Sequence, residues 1–333
     1  MRTYILKRLL LMIPTMIAIT TISFIVIQSA PGDPAKMAVR KAEQAGAVQE
    51  GGLSDEVIAQ ARKLYGLDKP LWKRYVLWLG DLAHGDFGYS YKDNRPVADK
   101  IVEVLPVTLQ LNILAILIVY LVAVPAGVYS AVRQGTVMDQ IVTLGFFILY
   151  SLPSFWAATM LLKYLAGGEG LDLFPVYGFE SPGYDLLGPA GRLWDRLWHL
   201  VLPVTCLAYG GFASLSRFQR AGMLEVIRQD YITTARAKGL TERVVLLKHA
   251  LRPSLIPMVT LFAGLLPSLI GGSIIIESIF SLPGMGKLSF EAVLSRDYPV
   301  VMALLTISAV LTLLGILLSD ILYVIVDPRI SFD

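Results

Sequence analysis

Six long stretches without a charged side chain punctuate this 333-residue chain, at residues 9–30, 104–132, 140–162, 197–216, 254–276 and 300–319. Each holds 20 or more residues, and a helix rising about 1.5 Å per residue needs roughly that many to cross about 30 Å of hydrocarbon. A hydrophobic content of 55% and a mean hydropathy of +0.62 agree, both being far above those of an ordinary soluble protein. The expected fold is therefore an all-α polytopic membrane protein with six transmembrane helices.

Charge sets the orientation. Arg2, Lys7 and Arg8 precede the first run, and short basic flanks stay in the cytoplasm. Six crossings then return the carboxyl terminus, with Arg329, to the same side. The loop carrying Arg133 also falls inside. The loops around Arg192 and Arg196, and around Lys287 and Arg296, fall outside with fewer positive charges. A cleaved signal peptide is the alternative for the amino terminus. The first run is longer than a signal core, and Gln28-Ser29-Ala30 is a poor cleavage site. The lone Cys206 lies within a run, which leaves neither a disulfide framework nor a zinc site.

Three divisions follow: residues 1–30 as the cytoplasmic tip and first span, 31–103 as an extracytoplasmic helical insertion, and 104–333 as a core of five spans. Pro31-Gly32-Asp33-Pro34 turns the chain as it leaves the bilayer. Ser54 can cap a helix that Gly66 ends. A second helix follows Pro70, with Leu71, Trp72, Tyr75, Val76, Leu79 and Leu82 near helical spacing. That face is expected to pack on the membrane domain or to lie at the interface, where tryptophan is favoured. Pro153 should kink the third span. The fifth carries Gly264, Pro267, Ser268, Gly271, Gly272 and Ser273, the highest density of small and helix-perturbing residues in any span. Close helix packing explains such a set, and so does a bent helix lining a path.

Between the fourth and fifth spans lies the one long polar passage of the second half, a loop over residues 217–253. From Arg217 to Pro257 it holds eight Lys and Arg residues against Glu225, Asp230 and Glu242, which places it in the cytoplasm. Ala235-Arg236-Ala237-Lys238 favours helix, and Gly239 supplies the left-handed backbone that stops one. Thr241 can cap a second short helix. Two stubby helices meeting at a glycine make a projecting knob.

Catalytic chemistry is not visible. No G-x-x-x-x-G-K-[ST] nucleotide loop and no G-x-S-x-G elbow occurs. His84, His199 and His249 lack Cys or His neighbours at metal spacing. An ion-coupled carrier needs ionisable groups near mid-bilayer. The nearest candidates, Glu277 and Asp320, are expected at hydrated helix ends. Energy would then arrive from a partner at the cytoplasmic knob.

Tyr231-Ile232-Thr233-Thr234-Ala235-Arg236-Ala237-Lys238-Gly239, with Pro257 beyond, resembles the cytoplasmic loop of binding-protein-dependent ABC importer permeases, in the form of the dipeptide, oligopeptide and nickel branch. The resemblance runs along nearly the whole chain. It includes Pro31-Gly32-Asp33-Pro34, Tyr65-Gly66-Leu67-Asp68-Lys69-Pro70, Gly85-Asp86-Phe87-Gly88, Pro283-Gly284-Met285-Gly286, Arg296-Asp297-Tyr298-Pro299 and Asp327-Pro328-Arg329. Thr233 stands where the general motif has Glu, and the spacing from Gly239 to Pro257 is longer, so no carboxylate contact carries over at that position.

The resemblance implies a second, homologous permease subunit, one or two cytoplasmic ATPase subunits and an extracytoplasmic substrate-binding protein. It implies residence in a bacterial or archaeal cytoplasmic membrane, with no nucleic-acid partner. No cofactor is expected in this chain, ATP and Mg being bound by the ATPases. The expected cargo is peptide, with nickel or another small solute as the alternative. A self-sufficient secondary transporter or channel is the rival class, and an assembly scaffold a third. Ala235, Ala237 and Gly239 would form the corner that docks, joined by Tyr231, while Glu225, Arg236 and Lys238 would make polar contacts to the ATPase. Pro267, Ser268, Gly271, Gly272 and Glu277 are candidates for the path.

Overall fold

The computed structural model describes residues 2–29, 55–64, 66–167, 170–259 and 261–326. The turn at residues 31–34, the cap at Ser54 and the Asp327-Pro328-Arg329 end lie outside them. Among the described residues the secondary structure is helical, apart from one isolated bridge between Tyr89 and Pro96.

Among the described residues, four helices are long and apolar enough to cross a membrane. These are α1 (Arg2–Ser29), α4 (Val97–Val132), α7 (Pro189–Ile227) and α15 (Tyr298–Val326). A fifth crossing is available if α5 (Val137–Ser151) and α6 (Ser154–Leu161), with the π-turn Leu162–Ala166, count as one broken span. The expected kink of the third span is a 92° break. Leu152 is extended because the ring of Pro153 excludes it from helical backbone, and Pro153 then opens α6.

The expected continuous fifth span at residues 254–276 is corrected more strongly. It is a series of short pieces: α10 (Leu251–Ser254), α11 (Ile256–Val259), α12 (Phe262–Gly271) and α13 (Ile274–Ile279). Three prolines and the Gly271-Gly272 pair explain the fragmentation, since each proline removes a helix donor and glycine weakens propagation.

The chain divides into two compact units. One, Val107–Lys287 with Thr312–Asp333, holds α7 at its centre, with α5, α6, α10, α11 and α13 packed against it. Its core joins Val107, Leu111 and Ala115 of α4 to Leu200, Val204 and Ala208 of α7 and to Ile276, Phe280 and Leu282. Small residues let the backbones close in.

The other unit is Arg2–Pro106 with Leu288–Leu311. It holds α1, α2 (Asp55–Leu64) and α3 (Leu71–Ala83). The apolar face expected on α3 divides in two. Tyr75 turns to α1, accepting a 2.8 Å bond from Thr21 and packing its ring at a tilt against Phe24, whereas Leu71, Trp72 and Val76 stay exposed.

Candidate functional site

The knob expected between the fourth and fifth spans is built on the end of α7. Gln229 is extended, and α8 (Asp230–Ala237) then runs for eight residues. Ile232 and Ala235 sit three positions apart, on one helical face. Both are buried, in a cluster with Ala131, Met223, Val245 and Ala250. At Gly239 the backbone takes φ +78°, where a Cβ would crowd the adjoining carbonyl. The Gly239 and Leu240 amides close the helix end onto the carbonyls of Arg236 and Ala235.

The second helix differs from expectation. Thr241 occupies the cap position, but its side chain makes no capping bond; its carbonyl instead accepts from the Val244 and Val245 amides at 2.9 and 3.0 Å. After α9 (Glu242–Val244) the chain widens into a π-turn, Val245–Ala250, with Val245 and Ala250 fully buried. Across the corner, Arg236 donates to Glu242 through Nε at 3.1 Å and Nη2 at 2.7 Å. That hydrogen bond, with the cation's charge, holds the Glu242 carboxyl below its ordinary range and raises Arg236.

Of the residues expected at the docking surface, Glu225 near the end of α7 is exposed, as are Tyr231, Ala237, Lys238 and Gly239 on the knob. Ala235 faces the protein's own interior, and Arg236 is engaged with Glu242.

The second group surrounds the break between α12 and α13. Pro267 lies inside α12, and the Ser268 hydroxyl bonds back to Leu265. After Gly271 the chain passes through Gly272 at φ +63°, ψ 176°, a conformation confined to glycine. Ser273 caps α13, accepting from the Ile276 amide. The α12 carbonyls left open by the break accept from Asn112 of α4, whose Nδ2 lies 2.9 Å from both Ser268 O and Leu269 O.

Glu277 is not at a hydrated helix end. It is 1% exposed, and its Oε1 accepts from Thr108 Oγ1 and Ser273 N, both at 3.2 Å. Its Oε2 accepts from Lys287 N at 2.7 Å. Thr108 in turn accepts from Met285 N at 2.8 Å. A Cβ on Gly284 would strike the carboxylate, and one on Gly272 or Gly286 would strike the opposing backbone. Glycine is thus required by the approach of the turn to this carboxylate, which accounts physically for the Pro283-Gly284-Met285-Gly286 block.

The two breaks, at Pro153 and at Gly272, meet. A cavity of about 290 Å³ is lined by Leu152 and Ser154 at one break, Ser273 and Ile276 at the other, and Cys206, Tyr209 and Gly210 of α7. Tyr209 donates to the freed Leu152 carbonyl at 2.8 Å. Irregular backbone at membrane depth persists only where protein or a water-filled cavity satisfies it, and discontinuous helices of this kind form transport sites in many carriers.

In the other unit, Asp297 of the Arg296-Asp297-Tyr298-Pro299 block is 1% exposed. It accepts from Ser90 Oγ and, at 2.9 Å, from Tyr91 N. Lys100 reaches Ser90 at 3.0 Å and Asp93 at 2.7 Å.

Sequence reasoning missed Thr108 and Asn112. Their signal was present, as two polar residues one turn apart in an apolar run. It also missed Asp139 and Arg220, which pair at 2.9 Å from separate helices. Among the described residues no group of three or more His, Cys, Asp or Glu could hold a metal.

Comparison with known proteins agrees along the full length. Residues 123–332 match the family described as "Binding-protein-dependent transport system inner membrane component", and residues 1–112 match its membrane component N-terminal family. The chain is 40% identical over 333 residues to the oligopeptide transport system permease protein AppB of Bacillus subtilis, covering all of both chains. It is 38% identical to the inner membrane ABC transporter permease protein YejB of Escherichia coli O157:H7, again covering all of both. It is 37% identical to the dipeptide transport system permease protein DppB of Escherichia coli K12, over 99% of each. With the helical architecture, these matches make the chain a multi-pass inner-membrane protein. It belongs to the binding-protein-dependent transport system inner membrane component family, as the permease of an ABC transporter whose ATP hydrolysis resides in separate subunits.

Proposed function

We propose that this chain is one of two permease subunits that line the translocation path of a peptide importer in a bacterial or archaeal cytoplasmic membrane. Both termini lie in the cytoplasm, and the fragments α10 to α13 together make the fifth of six crossings. Short basic flanks at the amino terminus and the basic knob support that orientation. An extracytoplasmic binding protein delivers cargo, and cytoplasmic ATPases hold ATP and Mg. The peptide assignment rests on relatives named for oligopeptide and dipeptide transport that match over the whole length.

The observation that carries the coupling role is the construction of the knob. Moving a two-state gate from 1:99 to 99:1 requires about 5.5 kcal/mol of differential interaction, and one hydrogen bond contributes roughly 1 kcal/mol. A flexible loop joined by a few contacts would dissipate that work. Here Ile232, Ala235 and Val245 anchor α8 and the π-turn in a shared core with Met223 of α7. A push on the exposed Tyr231, Ala237, Lys238 and Gly239 surface is therefore passed to α7 and to the fragmented span. Glu225 and Lys238 offer polar contacts to the ATPase. Gly271, Gly272, Pro267 and Ser268 form the flexible side of the path, and Glu277 holds its turn.

The test is reconstitution of this chain in liposomes with its companion permease, ATPases and binding protein, followed by uptake of labelled trialanine. ATP-dependent accumulation by the complete set, and none by the chain alone, is expected. Accumulation by the chain alone would place it among self-sufficient carriers.

A further inference from the structure

We propose that Glu277 is a positioning residue that makes α13, the connection at residues 282–284 and the start of α14 (Met285–Ser295) a fixed anchor, with the hinge of the transport movement at Gly271-Gly272. This rests on the permease reading above.

The two sides of the break are held very differently. On the α13 side, the Glu277 carboxylate draws together three pieces of chain: Thr108 of α4, the Ser273 amide at the start of α13, and the Lys287 amide beyond the turn. The Glu277 carbonyl also accepts from Leu282 N at 2.7 Å. Thr108 closes the ring by accepting from Met285 N. Leu282 and Met285 are buried beside it, and the close approach at Gly284 and Gly286 leaves no room for slippage.

On the α12 side, among the described residues, the open carbonyls of Ser268 and Leu269 accept from one side chain, Asn112. Among the described residues, Leu251 to Gly271 runs as the short helices α10, α11 and α12, interrupted at Leu255 and Leu261. Thr108 and Asn112 are four residues apart on α4, so one helix face holds both sides of the break. Work entering at the knob travels through the π-turn and the short helices. It becomes a directed movement only if it stops against something rigid, and the Glu277 ring is that stop. The glycine pair between them absorbs the backbone rotation, as hinge residues do.

The carboxylate accepts only from donors, so glutamine in its place would turn an amide N–H toward another N–H. The experiment uses the complete transporter in liposomes, with T108V and E277Q in this chain. Co-purification of all subunits, ATP hydrolysis and trialanine uptake are measured on each preparation. T108V removes one donor to the carboxylate and one acceptor for Met285 while keeping shape. Either variant is expected to assemble and hydrolyse ATP, with uptake per ATP falling by about tenfold, the equivalent of one charge-assisted hydrogen bond. Gly284→Ala, whose Cβ meets the carboxylate, should reproduce that uncoupling. Assembly with an unchanged ratio of uptake to hydrolysis in T108V and E277Q overturns the proposal. Loss of assembly in both also overturns it, because Glu277 would then serve folding alone. If the unaltered complex shows no ATP-dependent uptake, the permease reading fails and the failure lies there, not with Glu277.

Discussion

Arg236 and Glu242 clasp each other across the Gly239 corner through two hydrogen bonds, so the residue expected to reach for the ATPase is already occupied in holding the knob's shape. Both side chains are substantially exposed, and exposed pairs contribute about 0.2–1 kcal/mol. E242Q is accordingly expected to destabilise the purified protein by no more than about 1 kcal/mol. Amide exchange in residues 238–241 should accelerate. The sign with pH follows from the lowered carboxyl of Glu242. Its stabilising contribution is complete above the ordinary carboxylate value of about 4.3 and disappears as pH falls through the lower folded value. Exchange in the unaltered protein should therefore approach that of E242Q in acid and separate from it at neutral pH. Identical exchange in both at neutral pH would rule the clasp out.

Gly239 gives a sharper prediction. Beyond its own chain neighbours an added Cβ there meets no atom within 4 Å, yet φ is +78°. Alanine should cost about 1–2 kcal/mol of backbone strain, whereas asparagine tolerates the left-handed region better. Leucine adds a bulky side chain on the exposed face. G239L should insert in the membrane and lose co-purification with the ATPase together with uptake, while G239N retains more of both. Wild-type uptake in G239L would remove this corner from the docking surface.

These two residues mark where the sequence could be read and where it could not. Gly239 was legible because a glycine ending a short helical run has one backbone role. The inward turn of Ala235 was not, because alanine suits a buried helix face and a docking face equally. The break at Pro153 was legible in kind, although its 92° amplitude depends on Tyr209 capturing the freed Leu152 carbonyl from another helix. Glu277 was misplaced for a similar reason. Its distance from the run's edge indicated hydration, but its donors come from Thr108, Ser273 and Lys287, up to 169 positions away. A charged residue beside glycine-rich segments at both ends of a turn was the available clue.

Asp297 should be costly to remove. D297A leaves the Ser90 hydroxyl and the Tyr91 amide without their acceptor in a site where Asp297 is 1% exposed. Orphaned buried donors cost about 1–3 kcal/mol each. S90A removes a donor while leaving Asp297 its bond to Tyr91, and should cost less. Thermal unfolding in detergent that ranked the two variants in the reverse order would contradict this arrangement.

Gly127 tests how closely the core helices must approach. A Cβ placed on it would lie 2.5 Å from the Ser216 carbonyl and 2.7 Å from Gln219 Cβ on α7. Neither neighbour can withdraw freely. The first is helix backbone, and Gln219 is fully buried with its amide donating to Ser254 at 2.8 Å. Even alanine must therefore separate α4 from α7 or displace Gln219 from the start of the fragmented span. Overpacking of this kind costs about 1–3 kcal/mol. Because Ser254 belongs to α10, the displacement acts on the stretch between the knob and the hinge. G127A should therefore lower both thermal stability and uptake, and G127V should prevent assembly. If G127A kept full stability and uptake, the close contact between these helices would have no part in transmitting the movement.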